Sequence, residues 1–215
     1  MATPNTGMLP LRRYTNLPSL LDILYHRRLT LLSPATWDDK NDAYFMGQYK
    51  LRAKLKSVLA LCFTEARETY HHWRVFTDGS NGVCIQFEYE KLVECIGATS
   101  NVKSGTVRYE LIRNIKALRP RVSELPFLKR QPYEDEKEFR IIYRDKNEEL
   151  ESTSLALDLK SIDRIFLSPW MPKALVETTK SIIHMIPGCS KLRVNKTTLL
   201  ENEQWKRAAE RSEAE

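Results

Sequence analysis

The sequence predicts a single α+β domain with a mixed sheet and flanking helices. Strand-like segments outnumber long helical ones, and the two kinds do not alternate regularly. Neither an internal repeat nor a linker interrupts the 215 residues, of which 42% are hydrophobic and 29% charged. That composition suits a folded domain with a real core and excludes wholesale disorder. Residues 1–198 are read as the domain and 199–215 as a charged C-terminal helix fraying into a tail.

The elements follow in order. Residues 9–15 read as a first strand with a basic middle, Arg12-Arg13. Asn16 can cap a helix, Pro18 suits its first turn, and Leu17, Leu20, Leu21 and Leu24 recur at helical spacing before the cations His26, Arg27 and Arg28. Residues 29–32 form a second strand stopped by Ser33-Pro34, and the loop 35–42 carries Trp37, Asp38, Asp39 and Asp42. A helix is expected over 44–56, and the apolar run 58–64 reads as a buried strand. A short aromatic helix at 69–76, a turn at 78–82, a strand at 83–87 and a helix at 89–96 come next. Residues 102–109 look extended, 111–118 helical, and 120–132 irregular. Strands at 139–144, 154–159 and 164–167 precede a proline-started helix at 172–186 and a short strand at 191–194.

Several chemistries are excluded. No run approaches the roughly 18 apolar residues of a membrane span, and residues 1–10 lack the pattern of a secretory leader. The four cysteines, Cys62, Cys84, Cys95 and Cys189, are far apart, as expected of reduced thiols in a cytoplasmic protein. His71 and His72 are adjacent, about 100° apart on a helix, and no Cys/His ligand spacing occurs, so no metal site is expected. There is no G-x-S-x-G, G-x-G-x-x-G or Walker loop, and the 7 glycines are scattered. The net charge of +6 favours anionic partners such as nucleic acid or nucleotides.

What remains is the acidic run 134–138 leading into the strand at Phe139. Residues two apart on a strand share a face, so Glu136, Glu138 and Arg140 are expected on one side. They are either solvated charges on an edge or a carboxylate positioned by Arg140 in a cleft. Arg13 is a surface cation or a phosphate-binding group; Trp73 is core or a stacking platform. Trp37, in a loop, is placed to cover a ligand.

These pieces carry a resemblance. Leu11-Arg12-Arg13-Tyr14-Thr15, the run from Leu31 to Asp39 with Asp42, Cys62-Phe63-Thr64-Glu65, Trp73 followed by Gly82 to Phe87, Glu136 to Arg140, and Ile165 to Pro169 with Met171 resemble, in order, the bacterial family called domain of unknown function 2971. More distantly, the opening strand, helix and short strand, with the Glu-x-Glu, resemble ADP-ribosyltransferases that modify DNA.

That second resemblance implies a mixed sheet split into two lobes and an enzyme that takes NAD as substrate. Such enzymes split the nicotinamide–ribose bond through an oxocarbenium-like transition state. Glu138 would be the catalytic carboxylate and Glu136 would orient the acceptor. Arg13 would contact NAD from the first strand, Ser33 and the loop to Asp42 would flank the nicotinamide end, and Tyr14, Trp37, Trp73 and Arg140 complete the set around it. The acceptor would be nucleic acid or a nucleotide, and the role that of a bacterial toxin or phage-conflict factor. A non-catalytic nucleic-acid or nucleotide binder on the same scaffold is the alternative. A homo-oligomer or partner contact through the C-terminal helix is a third reading.

Overall fold

The computed structural model describes residues 9–115 and 117–211. Residues 1–8, read above as no secretory leader, residue 116 of the expected 111–118 helix, and residues 212–215 of the expected tail lie outside the described residues. The first half comprises β1 (Leu11–Asn16), α1 (Leu17–His26), β2 (Arg28–Leu32), α2 (Lys40–Arg52), β3 (Ser57–Thr64), α3 (Tyr70–Phe76), β4 (Gly82–Phe87) and α4 (Tyr89–Gly97). The second comprises β5 (Val102–Thr106), β6 (Arg108–Glu110), β7 (Leu128–Arg130), β8 (Glu138–Asp145), β9 (Ser152–Ala156), β10 (Ile162–Leu167), α5 (Lys173–Met185), β11 (Arg193–Lys196) and α6 (Glu203–Glu210).

The fold is α+β, built on one mixed sheet of nine strands. Its strands run β11-β10-β4-β1-β3-β2-β9, with β8 pairing β3 and β5. Only β10 and β11 are parallel within it. Strand β3 is the hinge of the arrangement. One edge pairs with β8 along its whole length, Ser57↔Asp145 to Thr64↔Glu138. The other edge is shared: β1 meets it only at Arg12↔Thr64, and β2 only at Leu32↔Ala60. The sheet therefore forks beside β3, with β1, β4, β10 and β11 in one lobe and β2, β9, β5 and β8 in the other.

Local chemistry explains the elements that flank the fork. Asn16 accepts the Ser19 N–H at 2.9 Å, capping α1, and Leu20, Ile23 and Leu24 bury its inner face. Burial of each such side chain contributes roughly 1.5–3 kcal/mol. They join Leu59, Leu61, Phe63, Ile85, Phe139, Ile165 and Ile183 in the main core. The opposite face of β3 and β8 packs Val58, Ala60 and Ile142 against Met46 and Tyr49 of α2. Two covered faces explain why β3 reads as an unbroken apolar run.

Four expectations are corrected. Helix α2 begins at Lys40 rather than at 44, because Asp39 accepts the N–H groups of Asn41 and Asp42 and caps it early. Asp42 thus lies on a helix, not in a loop. Among its described residues, the 111–118 segment has only a short 3-10 turn, Ile112–Asn114, with Ile112 and Ile115 exposed, so little apolar burial is available to stabilise a helix there. Glu136 does not alternate with Glu138 along a strand. It ends a 3-10 turn (Gln131–Glu136), Lys137 takes the left-handed conformation at φ 41°, and β8 begins only at Glu138. Helix α6 covers less than the expected 199–215 and has no buried residue.

Candidate active site

Alternation on β8 places Glu138 and Arg140 on one face, with Thr64 and Cys62 opposite them on β3. Arg140 is completely buried. Its Nε donates to Glu138 Oε1 at 2.7 Å and its Nη2 to Glu138 Oε2 at 2.9 Å. The same guanidinium donates to both oxygens of Asp42, at 3.0 and 2.7 Å, and to the Pro126 carbonyl at 2.7 Å. All five of its N–H donors are engaged, which is the condition under which a buried guanidinium is tolerable. The Trp37 ring lies 4.8 Å from its central carbon.

Lys129 of β7 adds a second cation. Its Nζ lies 2.6 Å from Glu136, 3.3 Å from Glu138 and 3.7 Å from Asp42. Three carboxylates therefore share two cations in a largely water-free pocket. Burial is the largest influence on Glu138 and pushes its pKa up, but the charge and hydrogen bonds of Arg140, then Lys129 and the Cys62 thiol, outweigh it and hold it down to about 2. Burial wins at Asp42 and Glu136, which are both raised despite Arg140 and Lys129 respectively. Glu138 is accordingly the carboxylate held most firmly in the ionised form. Both its oxygens are also engaged, Oε1 by Arg140 and Oε2 by Arg140 and Lys129, and the residue is 3% exposed.

Arg13 sits at the fork. Beyond Arg12↔Thr64 the β1–β3 ladder stops, and the Arg13 guanidinium fills the gap by donating to the Cys62 carbonyl at 3.0 Å. Its Nε is buried without a partner among the described residues. Tyr14 and Trp73 lie elsewhere, in a buried cluster with Cys84. Trp73 is wholly enclosed, its indole N–H bound to Glu68 at 2.8 Å, and Tyr14 stacks on His72 at 5.4 Å. Ser33 caps the turn that carries Trp37. The structure thus brings Trp37, Glu136, Glu138 and Arg140 together around Asp42 and Lys129, whereas Arg13, in register with Ile85, projects from the opposite face of the sheet; Ser33 caps the turn before Trp37, and Tyr14 and Trp73 form a separate cluster.

The residues the sequence reading missed are Asp42, as a partner of Arg140, with Lys129 and Cys62. Asp42 had a signal: Asp42, Met46 and Tyr49 recur at helical spacing on one buried face, and an acid on such a face needs a cation. A cleft of about 160 Å³ opens over Asp42 and Lys129, walled by Asp39, Phe45, Ile112 and Ile115. A larger hollow of about 320 Å³ lies at the far end of β8, beside Arg144 and Asp145, and holds none of the expected residues.

No family model matches the chain, and no curated protein matches it. Among solved structures it is similar to Thermus sp. 2.9 DarT in complex with carba-NAD+, at 12% identity and a TM-score of 0.45, over 91% of this chain and 97% of that one. The complex of the same protein with ADP-ribosylated ssDNA gives 12% and 0.47 over 88% and 94%, and its complex with NAD+ gives 13% and 0.46 over 91% and 98%.

Proposed function

We propose that the chain is an ADP-ribosyltransferase-like protein that takes NAD as substrate and acts on a nucleic-acid or nucleotide acceptor, as a bacterial toxin or phage-conflict factor would. One observation carries this reading. Arg13 of the first strand and Glu138 of the late strand flank the same end of β3, Arg13 donating to the Cys62 carbonyl from the core face of the sheet and Glu138 lying in register with Thr64 on the other face. These are the positions the resemblance assigns to NAD contact and to catalysis. The free thiols fit a reducing, cytoplasmic setting.

In this reading the nicotinamide–ribose bond breaks, nicotinamide leaves with the electron pair, and the ionised Glu138 stabilises the cationic ribose. A ribose hydroxyl takes the place of Lys129 at Oε2, the longest of the three nitrogen contacts to that carboxylate at 3.3 Å. An acceptor lone pair then bonds to the ribose carbon, and its proton passes to Glu136, whose raised pKa suits a proton acceptor. The cleft of about 160 Å³ holds a ribose- or nicotinamide-sized fragment, against roughly 300–1,000 Å³ for whole-ligand pockets. Entry of the dinucleotide therefore requires the wall at Ile112 and Ile115 to swing outward.

The test is nicotinamide release from NAD in the presence of single- or double-stranded DNA, RNA or nucleotides, and its loss in Glu138→Gln. Absence of release with every acceptor, together with absence of NAD binding, ends the proposal. The engagement of both Glu138 oxygens by Arg140 and Lys129 favours the second reading, a non-catalytic binder on the same scaffold. Nucleic-acid binding without nicotinamide release, unchanged by Glu138→Gln, would select it.

A further inference from the structure

One row of cross-strand partners crosses six strands: Arg193, Arg164, Gln86, Arg12, Thr64 and Glu138. Residues in register on neighbouring strands project from the same face. The side chains that alternate with them, Ile85 and Ile165 among others, enter the main core, where α1, α4 and α5 bury Leu20, Leu92 and Ile183. Those three helices therefore cover the opposite face. On the arginine face, α2 covers only the β3–β8 half, and Trp73 and Trp170 cover the next row at Tyr14, Cys84 and Phe166. The row from Arg12 to Arg193 stays part-exposed, with Arg12, Gln86 and Arg164 half-buried and Arg193 exposed, and is about 14 Å long at the usual strand spacing.

Its charge is uneven. Asp163 accepts from Gln86, Arg164 and Arg193 and fixes their side chains, one carboxylate against the two guanidinium groups. Arg12 has no acidic partner among the described residues' ion pairs and donates to the Ala66 carbonyl at 2.8 Å. Beside the row, Arg74 is held between Trp170 and the half-exposed Tyr70, 4.2 and 5.2 Å from their ring centres. Guanidinium planes interleaved with accessible rings match the alternating phosphates and π-faces of an unpaired strand. A duplex would offer only its phosphates.

We infer that the part-exposed arginine row is the docking track for a single-stranded nucleic acid, running toward Glu138 and crossing the roof that His72 and the Glu136 carbonyl make over Thr64. The inference rests on the nucleic-acid-acceptor reading above and names where that acceptor lies. Binding itself does not require the transfer chemistry.

The experiment is fluorescence anisotropy with labelled DNA and RNA oligonucleotides of about a dozen bases over a range of salt concentrations. The Arg164→Gln/Arg193→Gln variant is expected to bind at least about tenfold more weakly, with a salt slope shallower by about 1.4 for two lost contacts. Arg193→Gln alone, at a largely exposed side chain, should show about half that slope change with an unaltered melting temperature. Lys103→Gln/Lys160→Gln removes the same charge elsewhere and should bind like the parent. No oligonucleotide binding by the parent at low salt, equal weakening by the lysine control, or capture of anionic lipid vesicles instead would overturn the inference. Failure of the transferase reading looks different: binding along the row persists while nicotinamide release is absent.

Discussion

Asp42 and Arg140, 98 positions apart in the chain, are both buried and joined by two hydrogen bonds of 3.0 and 2.7 Å. The pair ties the first turn of α2 to the middle of the sheet, and Glu138 completes the guanidinium's other edge. A buried charge of this kind is costly to leave half-paired. Arg140→Met should therefore destabilise the fold by about 3–5 kcal/mol, because Asp42 and Glu138 would remain buried with Lys129 alone. Urea titration measures it. A loss of about 0.5 kcal/mol or less, the size of a surface pair, would contradict the network.

Acid titration should separate Glu138 from its neighbours. Its folded pKa of about 2 lies below the unfolded value near 4.3. Its ionised form thus stabilises the fold above that unfolded value, and the contribution is lost as pH falls toward about 2. The gap corresponds to about 3 kcal/mol. Asp42 and Glu136 act with the opposite sign. Burial raises both, so the folded state holds their protons more tightly, and their contribution falls as pH rises through the window between unfolded and raised values. Denaturation across the acid range should show a steep limb in the parent and a flatter one in Glu138→Gln.

Arg13 is expected to matter to the fold as well as to any ligand. It supplies the donor that the interrupted β1–β3 ladder no longer gives to the Cys62 carbonyl. Arg13→Met should cost about 1–3 kcal/mol through that unsatisfied acceptor, read from the denaturation midpoint. Arg13→Lys should recover part of the loss, since an ammonium also donates. A midpoint unmoved by Arg13→Met would mean that the fork closes on its own.

The fold class was legible because the strands are strongly apolar or alternating and because Asn16, Pro18 and Gly82 punctuate them clearly. The site was legible only where its residues share a strand. Glu138 and Arg140 are two positions apart, so alternation alone places them together. Asp42 and Lys129 arrive from other elements, and no local pattern pairs residues 98 or 11 positions away from Arg140. Glu136 misled for a related reason. Alternation was extended past Lys137, whose left-handed backbone breaks it, yet Glu136 returns to the cluster through Lys129. Trp73 and Tyr14 show the converse: their types suit stacking on a ligand, but α3 folds over β1 and uses both as core. The arginine row depends on register between four strands, which no single segment encodes.

The division of labour proposed for the two glutamates gives the sharpest kinetic test. In that proposal Glu138 stabilises charge on the ribose whatever attacks it, whereas Glu136 handles the acceptor's proton. Glu138→Gln should therefore abolish nicotinamide release both with acceptor and with water. Glu136→Gln should lower transfer to the acceptor by about 10²–10⁴-fold while leaving slow hydrolysis of NAD close to the parent rate. The two settings differ as the proposed roles require: the Glu138 side chain is 4% exposed and fixed by Arg140, while the Glu136 side chain is 15% exposed and held chiefly by Lys129. Parallel assays of free ADP-ribose and of modified acceptor distinguish the outcomes. Equal loss of both activities in both variants would mean that Glu136 acts only by holding Lys129, and the acceptor's proton would then have to leave by another group.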